Sequence, residues 1–460
     1  MITPDALIEL ARDALVRAGE PEADIHVSDH QRGLARIAVG EIREHVSISE
    51  PEVRVRVARG AKVGEVKTSA LDVDAMVRAL GEATALAELA PPREGFVGFA
   101  RPSEVGEVPA MNNRWSEEGI TADARIEAVA PVLAAIRAAG LVAAGAVQTI
   151  HKSTAVVTTH GVARGHRAAV AAARIWALET AGKGGAAGFD CALGRTLGDL
   201  DLTRVAERII RDARDAKQST RSLPAGSYDV VLEPEAVASV LEWLGYIAFG
   251  APEVEEGSSF LAGRIGEQVT GDSVTLIDDP LADHPALACA PFDREGTARE
   301  RVTILERGVA RGILYDRETA RRAGARSTGS AADTIFRNIS PAAILMTGGN
   351  AASVDELLRL SDRVLHVRRF HYLNGFLEPR RAVMTGLTRD GTFLVEQGKR
   401  VASVGNLRFT DSIVEAFARI GGATREVTAV PAHYEDDHCI RAPALFIRGL
   451  RFTSGTPEAP

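Results

Sequence analysis

Tyr228-Asp229-Val230-Val231-Leu232-Glu233-Pro234-Glu235 runs straight into Ala236–Phe249, and the reading of this stretch decides the rest. Tyr228–Leu232 is β-branched and aromatic, which predicts a strand. Glu233-Pro234-Glu235 predicts a helix entrance, because proline in the first turn gives up an N–H that has no helical partner anyway. Val237, Val240, Leu241, Leu244 and Ala248 then recur at helical spacing and form an apolar stripe. Within it lies Leu241-Glu242-Trp243-Leu244-Gly245-Tyr246. With histidine at 241 and 246 the segment would read H-E-x-x-x-H, a zinc-hydrolase helix. Glu242 is present and both imidazoles are missing.

The loss has chemical consequences. A catalytic zinc takes about three protein ligands and keeps one position open for water. Ligands five apart on a regular helix diverge by roughly 140°, so such a motif needs a local distortion, which Gly245 would permit. Leucine offers no donor, and tyrosine, with a pKa of about 10, is a poor one at neutral pH. The plain alternative is a packed helix in which Glu242 is incidental.

Working outward, Ser222-Leu223-Pro224-Ala225-Gly226-Ser227 is the best linker in the chain and separates two expected domains, 1–221 and 228–460. The first begins with Thr3-Pro4-Asp5, a helix cap with proline in the first turn, and an amphipathic helix to about Gly19. Short strands are expected at Asp24–Asp29, Gly33–Val39, His45–Ser49, Glu52–Ala58 and Val63–Ser69; alternation is clearest in Val53-Arg54-Val55-Arg56-Val57. Helices follow at Asp72–Leu89, Thr121–Ala139 and Leu200–Lys217. Between them Pro91–Ser116 is a loop, and Leu141–His151, Thr154–His160 and Arg167–Ala177 form a meander. Lys183–Gly188 is a glycine loop without the spacing of a phosphate cradle.

Beyond the linker the chain turns β-rich, at 274–278, 301–306, 342–346, 365–369, 381–387, 391–396, 400–404 and 442–448. Short helices fall at 318–324, 353–360 and 413–420, and 453–460 is expected to fray. The expected fold class is α+β: an N-terminal α/β domain followed by a β-rich C-terminal domain with packed helices.

The C-terminal half resembles the TldD/TldE (PmbA) family, once called modulators of DNA gyrase. The resemblance is carried by Ser258-Ser259-Phe260-Leu261-Ala262-Gly263-Arg264-Ile265-Gly266, Pro291-Phe292-Asp293-Arg294-Glu295-Gly296-Thr297, Gly312-Ile313-Leu314-Tyr315-Asp316, Thr319–Gly324, Ser327-Thr328-Gly329, Gly348–Ser353 and Gly405-Asn406-Leu407-Arg408-Phe409. The family has two kinds of subunit. TldD-like chains carry H-E-x-x-x-H and a cysteine near the C-terminus that together hold the metal. TldE-like chains lack the histidines and pair with a TldD-like chain as a heterodimeric peptidase.

The resemblance therefore implies a TldE-like subunit, with Leu241, Glu242, Tyr246 and Cys439 as degenerate metal-site positions. It implies no catalytic residue and no metal in this chain, zinc in the TldD-like partner, and a peptide or amide substrate. It also sets His366-Val367-Arg368-Arg369-Phe370-His371 and Asn374 near the peptide-facing side, so His366, His371 and Asn374 are candidate substrate contacts. Against this stand an independent amide hydrolase with recruited chemistry and a peptide-binding protein without a hydrolytic partner.

Composition bounds these readings. A net charge of −8 argues against an electrostatic grip on nucleic acid, with 366–371 as the best local basic candidate. The three cysteines, Cys191, Cys289 and Cys439, are far apart and cannot all pair, which suits a reducing cytoplasm. No apolar run is long and charge-free enough for a membrane span. His433-Tyr434-Glu435-Asp436-Asp437-His438-Cys439 is dense in metal-capable groups, and reads either as a replacement metal site or as a solvated loop. Cys439 itself reads as a vestige or a plain buried thiol.

Overall fold

Thr3 accepts a hydrogen bond from the Ala6 amide, Pro4 opens the first turn, and Gly19 closes the last in the left-handed conformation. Helix α1 (Pro4–Ala18) is thus capped at both ends by the residues that announce it. The computed structural model describes all residues except 112–113, 180–186, 219, 333, 335–337, 434–437 and 456–460. Most of the glycine loop at 183–188 and the end of the tail therefore lie outside the described residues.

The first half builds one antiparallel sheet from β1 (Ala23–Ala38), β2 (Glu41–Arg59), β3 (Lys62–Thr68), β4 (Val142–Thr158), β5 (Ala163–Leu178) and β6 (Ala187–Gly194), in the order β3-β2-β1-β4-β5-β6. The pairs of short strands expected at 24–39 and 45–58 are single long strands. His30, Gln31 and Arg32 do not break β1, because the side chains at 26, 28, 30 and 32 share one polar face of the sheet. Pro51 is tolerated in β2 because β3 pairs only with Val53–Arg59 and leaves that stretch an edge. The odd-numbered face, with Ile25, Val27, Val53, Val55 and Val57, packs under α1 and α2 (Val73–Leu89). Further along, α3 (Ala122–Ala138) and α4 (Leu202–Gln218) cover the same face through Val129, Ile136, Val205 and Ile209.

The second half contains two sheets. Thr220–Arg221 (β7) pairs with Ser403–Val404, so the C-terminal sheet already begins before the 222–227 linker. In the larger sheet β8 (Gly226–Leu232) lies between Arg363–Glu378 and Leu445–Gly455. Pairing of Arg363–Glu378 with Val383–Glu396 closes five of its strands into a ring. Among the described residues the smaller sheet has six strands, with Cys439–Ala442 next to the edge strand Thr428–Pro431. The strand expected at 442–448 is therefore two, broken at 443–444, and the tail expected to fray is strand as far as Gly455.

Between the sheets runs α5 (Pro234–Ala248), the helix that opened the sequence reading. It is buried on nearly every side, as a helix without a strongly polar face must be. Gly245 lies inside regular α-helix, with no distortion. A Cβ there would come within 2.9 Å of Pro341 Cγ and 3.2 Å of Ile344 Cδ1. Gly245 is thus a close-packing residue, not a hinge for metal ligands.

Several motifs quoted above turn out to be turn chemistry. Asp293 Oδ1 accepts from the amides of Glu295 and Thr297, Oδ2 accepts from Ala331, and Gly296 takes a positive φ of 79°. Asp316 caps the short helix Arg317–Ala323 reciprocally with Thr319.

Candidate functional site

The N-terminal end of α5 is ionic. Glu233 stands at the N-cap position without a side-chain capping bond, and its carboxylate instead meets His366 Nε2 at 2.8 Å, Arg368 Nη1 at 3.0 Å and Arg208 Nη2 at 2.6 Å. Arg368 Nε reaches Asp212 at 2.9 Å, and Asp212 meets Arg400 at 2.7 Å. The network joins α4 to the ring of strands. Burial would push Glu233 up, but Arg208 and the His366 hydrogen bond outweigh it and hold the carboxyl down at about 2. His366 is therefore a buried network residue and lines no described cavity. The expected basic patch at 366–371 is likewise neutralised internally: Arg368 is 4% exposed among carboxylates, and Arg369 donates twice to Asp390, at 2.9 and 2.6 Å.

One turn further, α5 borders a cavity of about 480 Å³. Glu235, Ser239, Glu242 and Trp243 face it from the helix; Arg174, Trp176 and Phe189 come from β5 and β6, and His371, Tyr372 and Leu373 from the long strand. Val430, Pro431 and His433 complete the wall. Trp176 Nε1 donates to Asp390 at 2.9 Å, and Arg174 donates to the carbonyls of Pro431 and Ala432 at 3.2 and 2.7 Å. Both contacts tie the first sheet to the second half of the chain. Glu242 is 6% exposed and accepts the His433 amide on both oxygens, at 2.9 and 3.1 Å. Glu235 lies 3.9 Å from Cys191 Sγ, and burial raises its carboxyl to about 8 despite Arg369. Burial first, then neighbouring arginines, lowers the pKa of both His371 and His433, which favours neutral imidazoles at pH 7.

The positions singled out as degenerate do not converge. Leu241 is fully buried in the main apolar core. Tyr246 is 3% exposed and meets Trp243 edge to face, with ring centres 6.3 Å apart. Cys439 faces away from the cavity into a cluster of Ala286, Leu287 and Ala343, where burial lifts its thiol to about 12. Ile440, next along the strand, is the residue that lines the cavity. Leucine, a packed phenol and an averted thiol do not fit a zinc ion beside Glu242. Among the described residues no group of three His, Cys, Asp or Glu side chains is arranged to hold a metal. Of the candidate substrate contacts, His371 lines the cavity. Asn374 lies on the exposed end of the strand, its side chain accepting from the Phe376 amide at 2.8 Å. In the 433–439 cluster, 434–437 lie outside the described residues, and His433 and His438 line two different cavities.

Sequence reading missed Glu235, Arg174 and Trp176. Glu235 was findable, since residues seven apart on a helix share a face with Glu242. The other two are joined to the site only by tertiary structure.

A family model for the PmbA/TldA metallopeptidase C-terminal domain matches residues 225–454, which is half of the chain. This chain belongs to the PmbA/TldD family. An uncharacterized protein of Methanocaldococcus jannaschii is 39% identical over 127 residues, 27% of this chain and 30% of that one. A metalloprotease of Methanothermobacter thermautotrophicus is 31% identical over 153 residues, 33% and 32% of the two chains. The chain thus aligns with about a third of the length of these curated relatives. The whole PmbA/TldD-type fold is shared with TldE from Thermococcus kodakarensis, with a TM-score of 0.84 at 20% identity, covering 98% of this chain and 100% of that one. Among the described residues no helix is long and apolar enough to cross a membrane.

Proposed function

We propose that this chain is a TldE-like subunit that binds no metal and completes a metallopeptidase by pairing with a TldD-like chain that carries H-E-x-x-x-H and supplies the zinc. The observation that carries the reading is the state of α5. Where an imidazole would stand, Leu241 is sealed into the core, and the Glu242 carboxylate is held by the His433 amide. The fold shared with a TldE supports it.

In this reading the chain walls the chamber and holds peptide. One wall of the cavity is the strand Thr428–Pro431, which among the described residues pairs with one strand in its sheet and whose Pro431 carbonyl is taken by Arg174, so peptide would be held mainly by the side chains that line the cavity. Tyr372, Phe376 and Leu377, at 77%, 42% and 50% exposure beside that cavity, give an apolar surface for the partner. Hydrolysis is assigned to the partner, and no step is assigned to a metal here. The cytoplasm is the proposed location.

The test is co-expression with a TldD-like chain, followed by metal analysis and peptidase assay on an unfolded polypeptide. The isolated chain is expected to bind no stoichiometric zinc and to be inactive, with activity appearing in the complex. Glu242→Gln should leave that activity nearly intact, whereas the same change in the partner's motif should abolish it. Equal loss from both would overturn the assignment.

The raised carboxyl of Glu235 favours one second reading, an independent amide hydrolase using that group as an acid. Turnover by the pure chain, lost in Glu235→Gln, would select it.

A further inference from the structure

Two residues that line the Glu242 cavity, Trp176 and Arg369, share one acceptor. Asp390 Oδ2 takes the Trp176 Nε1–H at 2.9 Å and the Arg369 Nε and Nη2 groups at 2.9 and 2.6 Å. Its other oxygen meets Arg389 at 3.8 Å. Trp176 belongs to the first sheet, whereas Arg369 and Asp390 stand on Arg363–Glu378 and Val383–Glu396, so one carboxylate bridges the two halves of the chain.

The backbone is bent to bring it there. Val367 is paired with Thr392 and Arg369 with Arg389, which leaves Arg368 opposite both Asp390 and Gly391. This is a bulge, the device that re-aims a side chain within a strand pair. Asp390 takes a positive φ of 51° and Gly391 one of 126°, and a Cβ at 391 would run into the Arg368 side chain. Positive φ is uncommon outside glycine and costs free energy, and aspartate is among the residues that tolerate it best. Strain of this kind gathers where a group must be held in one place.

What the carboxylate holds is a cluster of planar groups. Trp176 rests on Phe189 with ring centres 4.5 Å apart, and Arg369 Cζ lies 5.5 Å from the Trp176 ring centre and 4.7 Å from that of Phe189. Asp390 meets both the charge of Arg369 and the N–H of Trp176, so the face offers flat apolar surface in preference to charge. Its charged neighbours are also engaged: Arg174 donates to the carbonyls of Pro431 and Ala432, and burial lifts Glu235 to about 8, neutral at pH 7.

We propose that Asp390 is a positioning residue, and that the Trp176–Arg369 face it holds receives a large apolar side chain of the bound peptide. The proposal rests on reading the cavity as a peptide-holding chamber. An aromatic side chain gains most, because stacking on the indole and the guanidinium adds to burial.

The test compares two short glycine-serine peptides with blocked ends, identical except that one carries a phenylalanine where the other has alanine. Calorimetry on the isolated full chain should show the phenylalanine peptide bound about tenfold more tightly. Asp390→Ala should erase that difference while leaving affinity for the alanine peptide unchanged. Trp176→Leu should erase it as well, and keeps the test usable if the first variant misfolds. Asp390→Asn, which tolerates the same φ and can still accept the indole N–H, should recover part of it. Equal binding of the two peptides by the wild type would overturn the proposal, as would a selectivity that survives both Asp390→Ala and Trp176→Leu. A uniform loss for both peptides in Asp390→Ala would reduce Asp390 to a structural anchor. In the complex with a TldD-like chain the same difference should appear in KM. A complex that hydrolyses both peptides with equal KM would sink this inference and leave the subunit assignment standing. An inactive complex, with selective binding intact in the isolated chain, would do the reverse.

Discussion

Glu233 and Glu235 stand two residues apart at the same helix entrance, and the regions around them drive their carboxyls in opposite directions, to about 2 and to about 8. Burial raises both. What differs is the company each keeps. Glu233 points into the network between α4 and the ring and touches three cationic or imidazole groups within 3.0 Å. Glu235 points into the cavity, against the Cys191 thiol and within the field of Asp190, and there burial outweighs the pull of Arg369 and Arg174. The lesson is that in this helix the charge state belongs to the tertiary surroundings and not to the residue type. The first region is an ionic bolt; the second is a chamber wall that keeps a proton.

The comparison breaks most visibly at the bolt. Arg368→Met removes the group that joins Glu233 to Asp212, the latter fully buried. Two carboxylates are then left in the interior with fewer cations. Destabilisation of about 3–5 kcal/mol is expected, read from urea unfolding, because losing one partner strands the other. A loss under about 1 kcal/mol, the range of an exposed pair, would mean that the network is not holding the two halves together.

The apolar middle of α5 answers with the next largest effect. Leu241→His places an imidazole in the main core and gives up leucine burial, at a cost of about 2–4 kcal/mol. Adding zinc to this variant should not recover the loss, since Cys439 points away and Tyr246 is packed on Trp243. A zinc-dependent rise in melting temperature would mean that a donor set assembles around Glu242 after all.

How much of this was legible in the sequence follows the same division. Local rules gave α1 from Thr3 and Pro4, the α3 cap at Thr121, and the alternation of Val53–Val57. They gave the strand-to-helix passage at 228–249 almost to the residue. The family resemblance reached further than any local rule, although Asp293, Gly296 and Asp316 carry it as turn-forming residues and not as chemistry. Sequence reasoning failed where partners are remote. His366 looked like a substrate contact because its bond to Glu233 spans 133 residues. Arg369 looked like surface charge because Asp390 is on the neighbouring strand. The long strands were cut at polar residues because the buried basic face they line has no counterpart in simple inside-outside patterning.

Glu235 sharpens the comparison through pH. Its carboxyl is raised above the unfolded value of 4.5, so the folded state holds a proton that the unfolded state has released. That contribution is complete below about pH 4.5 and is lost as pH rises toward about 8. Glutamine has no such proton, so Glu235→Gln should gain on the wild type by about 1 kcal/mol per pH unit between pH 5 and pH 8. Glu233 has the opposite sign: its depressed carboxyl stabilises above about 4.5, and the gain is lost as pH falls toward about 2. Parallel stability curves for Glu235→Gln and the wild type from pH 5 to pH 8 would place the two glutamates in equivalent surroundings and end the contrast.

The smallest effect is expected at Gly245, and it asks whether α5 is shaped for packing or for bending. Alanine there gains about 1 kcal/mol of helix propensity. Its Cβ also meets Pro341 Cγ at 2.9 Å and Ile344 Cδ1 at 3.2 Å, and a proline ring gives way less readily than a long flexible chain. Overpacking of this kind costs about 1–3 kcal/mol, so Gly245→Ala should destabilise by a net of about 1 kcal/mol. Gly245→Ala combined with Pro341→Ala removes the nearer obstacle, and there the helix gain should surface as recovered stability. A single variant more stable than the wild type would show that the helix has room beside Pro341, and that its glycine serves motion instead of contact.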